Sequence, residues 1–68
     1  MNEDTFNMSV RKLLKAFGLN GQREIEQAVA KAVASGTIAG TEAFPVKITI
    51  EIAGLKFRSE FKGEVALQ

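Results

Sequence analysis

Arg11, Lys12 and Lys15 cluster within five residues, and three basic side chains so close together can meet a phosphate or an anionic surface. The ordinary reading of the same residues is a solvated helix face. Gln22, Arg23 and Gln27 form a second polar series, of the residue types that read base edges when the N-terminus of a helix enters the DNA major groove. Glu24 and Glu26, interleaved with them, oppose that use. The adjacent carboxylates of Glu3 and Asp4 suit a hard cation, but two neighbours on one short stretch supply too few fixed oxygens for calcium. Ser59 offers a hydroxyl without a base to activate it, because the chain contains no histidine and no cysteine. These residues therefore assign no catalytic set, no metal ligands and no cofactor site. The candidate surface contacts are Arg11, Lys12, Lys15, Gln22, Arg23 and Gln27.

The elements that must carry them are legible from spacing. Phe6, Val10, Leu13, Leu14 and Phe17 trace one face of a helix, which Asn2 or Asp4 can cap and Gly18 ends. After a Leu19-Asn20-Gly21 turn, Ile25, Ala28, Val29, Ala32 and Val33 repeat the helical spacing as far as Ser35, with Gly36 as the stop. The alanine-rich face of this second helix permits close approach to its neighbours. Two helices joined by a short turn and followed by a hairpin suggest a minimal helix-turn-helix module with a wing. Winged folds place a further helix before the pair, and none is available here.

In the C-terminal third, apolar residues alternate along VKITIEI and FRSEFK, which marks an antiparallel hairpin with one apolar and one charged face. A two-residue loop at Ala53-Gly54 predicts Ile52 opposite Leu55, Glu51 opposite Lys56, Ile50 opposite Phe57, Ile48 opposite Ser59, and Lys47 opposite Glu60. Phe57 and Phe61 then supply the bulk of the apolar face, with Phe57 central. Gly63 interrupts that face and reads as a bulge or a close backbone approach. In this register the last strand, continuing through Val65 and Leu67, outruns its partner, so either Thr37–Ala39 folds back as a short extra strand or a second chain pairs with it. Lys47, Glu51, Lys56, Arg58, Glu60, Lys62 and Glu64 form the solvent face, which carries no aromatic on which a base could stack.

The expected fold class is α+β: two N-terminal helices packed on one face of a small antiparallel sheet, α-α-β-β, with Thr37–Ala39 as an optional third strand. The 68 residues make one small domain, 1–68. A net charge of +1 provides no long-range field for collecting nucleic acid, and no apolar run approaches the length that spans a membrane. The polar, acidic opening MNEDTF does not read as a signal peptide, so a cytoplasmic location is expected.

The segments MNEDTFNMSVRKLLK, QREIEQAVAKAVASG, VKITIEIAGL and the closing GEVAL resemble a family of short, uncharacterised bacterial domains of unknown function. The resemblance implies a bacterial source and carries no assigned activity, so it transfers no functional position. The function expected from the residues is non-enzymatic protein interaction or self-association, with a homodimer as one form. The alternative is the DNA-binding module, and an enzyme stands third.

Overall fold

The computed structural model describes residues 1–68, which divide into two compact units, Met1–Thr37 and Ile38–Gln68. The element order is α1 (Glu3–Ala34), β1 (Ala43–Ile52) and β2 (Phe57–Ala66), an α-β-β arrangement in place of the expected α-α-β-β.

The first unit is a single helix of 32 residues, about 48 Å long at 1.5 Å per residue. Asn2 is its N-cap, with the side-chain Oδ1 accepting from the Thr5 N–H at 3.1 Å. Glu3 and Asp4 in the first turn and Lys31 in the last suit the helix dipole. Gly36 ends the helix at φ +76°, donating its N–H to the Val33 carbonyl at 3.1 Å while Thr37 donates to Ala32 at 3.0 Å. This is the Schellman arrangement, and it satisfies carbonyls the helix would otherwise leave open.

The expected break at Gly18 is absent: Gly18, Leu19, Asn20 and Gly21 are all helical, and neither glycine has positive φ. The reason lies in phase. Phe6, Phe17 and Ala28 are eleven residues apart, as are Val10, Gly21 and Ala32, and Leu14 and Ile25. An eleven-residue repeat advances about 3.67 residues per turn, so the two apolar runs make one continuous stripe along a nearly straight helix. Two interior glycines cost only about 1 kcal/mol each. A turn would have put the two halves of the stripe on separate rods.

Thr37–Ala39 forms a bend rather than a third strand. The Glu42 carboxylate organises the turn that follows, accepting N–H bonds from Ala39 at 2.9 Å, Gly40 at 2.8 Å and Thr41 at 3.0 Å. Gly40 supplies the left-handed residue, at φ +98°.

In the hairpin, the register lies two residues from the expected one. Ile52 faces Phe57, Glu51 faces Arg58, Ile50 faces Ser59, Thr49 faces Glu60, Ile48 faces Phe61, Lys47 faces Lys62, Val46 faces Gly63 and Phe44 faces Val65. A two-residue type I′ loop would have needed positive φ at Ala53, and a type II′ loop would have needed glycine there. The chain instead makes a four-residue loop in which Lys56 takes the left-handed conformation at φ +51° and donates its N–H to the Ala53 carbonyl at 3.1 Å. A shift of two preserves parity, so the apolar and charged faces are the expected ones.

Three further expectations change with the register. Both strands have ten residues and pair flush from Ala43–Ala66 to Ile52–Phe57, and the Leu67 N–H bonds the Glu42 carbonyl at 2.9 Å, so no strand end overhangs. Gly63 is neither a bulge nor a close approach: the ladder runs through it unbroken, and a Cβ built there meets nothing within 4 Å. Phe57 lies at the loop end of the sheet and is 45% exposed, so it is not the centre of a core.

Candidate functional site

At about 100° per residue, Phe6, Val10, Leu13, Leu14, Phe17, Gly21, Ile25, Ala28 and Ala32 fall within one third of the circumference of α1. The stripe is graded in size. Its first half carries Phe6, Val10, Leu13, Leu14 and Phe17, whereas the second carries Gly21, Ala28 and Ala32 with Ile25 between them, and Glu24 falls within the same arc. Phe17 leans along the helix over Gly21, where an added Cβ would stand 3.3 Å from the ring. None of these side chains is buried; Leu13 is 68% exposed and Phe17 48%.

Every residue expected to make surface contacts lies on α1 and is exposed, outside the apolar stripe. Arg11, Lys15 and Gln22 line up at spacings of four and seven, and Lys12 and Arg23 form a parallel row eleven residues apart. Gln22 Nε2 donates to Glu26 Oε2 at 3.4 Å. Thr5, Met8, Ser9, Arg11, Lys12 and Lys15 line a shallow open recess of about 620 Å³, formed by one helix flank. Because the helix does not break, Gln22, Arg23 and Gln27 sit in its interior and not at an N-terminus. The geometry by which a recognition helix presents its first turn to DNA is therefore not available to them.

The hairpin has its own open apolar face, formed by Phe44, Val46, Ile48, Ile50, Ile52, Phe57, Phe61 and Val65. Phe61 is 56% exposed beside the gap at Gly63. Ser59 lies on this face opposite Ile50, one pair from its expected place. On the other face Glu60 accepts from Arg58 at 3.3 Å and forms an ion pair with Lys47 at 3.9 Å. The expected Lys47–Glu60 pair thus survives as a diagonal contact, while Glu51 faces Arg58 directly instead of Lys56.

One polar feature was not anticipated from the sequence. The N–H bonds from Ala39, then Gly40 and Thr41, favour the charged form of Glu42 and hold its carboxyl below the ordinary glutamate range. This carboxylate is spent on its own turn. No helix is long and apolar enough to cross a membrane.

The chain belongs to the family described as "Family of unknown function (DUF6494)", whose sequence profile matches residues 1–68. No curated protein and no solved structure matches it.

Proposed function

We propose that this member of a family of unknown function is a non-enzymatic interaction module whose partner is a second copy of itself. The observation that carries the reading is exposure. No side chain in either unit is buried, and sixteen large apolar residues stand at least 37% exposed. The stripe of α1 and the apolar face of the hairpin each leave apolar surface open on a scale that marks an interaction site.

Closed two-fold pairs are the commonest assemblies.

The test is the dependence of unfolding on protein concentration. If folding is linked to association, the thermal midpoint rises with concentration by mass action. A midpoint unchanged over a hundredfold range contradicts the proposal.

A further inference from the structure

From the grading of the helix stripe we infer that two copies pair antiparallel along α1, about a two-fold axis level with Leu19. This rests on the self-association reading and specifies its interface. Four pairs along the stripe complement one another on reversal: Phe6 with Ala32, Val10 with Ala28, Leu13 with Ile25 and Phe17 with Gly21 each lie symmetrically about position 19, while Leu14 falls level with Glu24. Antiparallel packing places each member of such a pair at the same height as the other member on the second helix. Three of those layers set a larger side chain of one half against a smaller one of the other, and the fourth sets Leu13 against Ile25 of equal size. Parallel pairing would set Phe6 on Phe6 and Phe17 on Phe17, then leave Gly21 on Gly21 and Ala28 on Ala28, alternating crowded layers with empty ones.

Gly21 and Phe17 make the centre specific. The missing side chain at Gly21 leaves room that its own Phe17 ring leans over, at 3.3 Å from where a Cβ would stand, and the outer face of Phe17 remains half exposed. In the antiparallel pair, each Phe17 meets the Gly21 of the other copy at the crossing point, where the small residue lets the backbones approach. Charge runs the same way. The acidic first turn, Glu3 and Asp4, comes within about one turn of the second copy's Lys31, and the two helix dipoles oppose.

The chain has no cysteine, so single spin labels can be placed cleanly in the full-length protein. Thr5→Cys, Leu19→Cys and Ala30→Cys all lie on the side of α1 away from the stripe. With about 1.5 Å of rise per residue, the antiparallel pair separates its two Thr5 labels by about 42 Å along the axis, its Ala30 labels by about 33 Å, and its Leu19 labels not at all. Pulsed dipolar measurements on each single variant should therefore give the shortest distance at Leu19. Equal distances at all three positions mean a parallel pair and overturn the inference. A doubled mass without a minimum at Leu19 moves the interface elsewhere, overturning the antiparallel pairing while leaving self-association intact. A monomer without interchain distances overturns both, and transfer of that monomer to anionic vesicles would assign the stripe to a lipid surface.

Discussion

Replacing Gly18 by alanine decides between one helix and two, because the two arrangements predict opposite signs. In the observed backbone Gly18 is an interior helical residue, and a Cβ built there meets nothing within 4 Å. Alanine then brings only its higher helix propensity, about 0.8 to 1.0 kcal/mol per chain. For a protein of this size the urea dependence is near 1 kcal/mol per molar, so the midpoint should rise by roughly 1 M. If Gly18 instead ended a helix in the left-handed conformation, alanine would be strained and the midpoint would fall. The companion Gly21→Ala carries the same propensity gain, but its Cβ stands 3.3 Å from the Phe17 ring, which must shift by a few tenths of an ångström. At the proposed crossing point the added methyl also crowds the second copy's Phe17, so Gly21→Ala should be less stable than Gly18→Ala and should weaken association. Urea melts followed by circular dichroism at 222 nm, at one fixed protein concentration, give both numbers. A Gly18→Ala variant less stable than the parent would refute the continuous helix.

The remaining expectations concern the hairpin unit. Glu42 has its folded pKa depressed by the N–H bonds from Ala39, Gly40 and Thr41, so its contribution is present above the unfolded pKa and is lost as pH falls through the folded one. Its side-chain carbon resonance should titrate below the ordinary glutamate range, and a normal midpoint would dissolve the turn described here. Lys56→Gly relieves a left-handed residue at φ +51° and should raise stability by up to about 1 kcal/mol in chemical denaturation; a loss would place the loop elsewhere. Glu60→Gln removes the partner of Arg58 and Lys47, but these are exposed pairs, so the expected loss is under about 1 kcal/mol. A larger loss would mean that this face is covered.

Much of the local architecture is legible in the residues. Asn2 and Gly36 bound the helical region because a side-chain acceptor and a residue tolerant of positive φ are what helix ends require. The faces of the hairpin follow from parity alone. What escapes the sequence escapes for identifiable reasons. Glycine at 18 serves equally as a stop or as a tolerated interior residue, and only the eleven-residue phase linking Phe6, Phe17 and Ala28 separates the cases. Loop length is invisible to alternation, since shifting a register by two leaves every side chain on its own face. The clue was the order Ala53-Gly54, with glycine in the wrong place for a two-residue turn. The turn at Glu42 had a weaker signal, an acidic residue just after Gly40 and Thr41. The six candidate contacts all lie on the polar surface of α1, but the base-reading role suggested for Gln22, Arg23 and Gln27 depended on a helix end that does not exist.

Self-association is the central claim, and sedimentation equilibrium of the full chain tests it most directly. Over a hundredfold range of concentration reaching the high micromolar, the account predicts a mass that approaches or holds at twice the chain mass of 7.4 kDa. A folded, cooperative protein that stays at the mass of one chain throughout that range would contradict it.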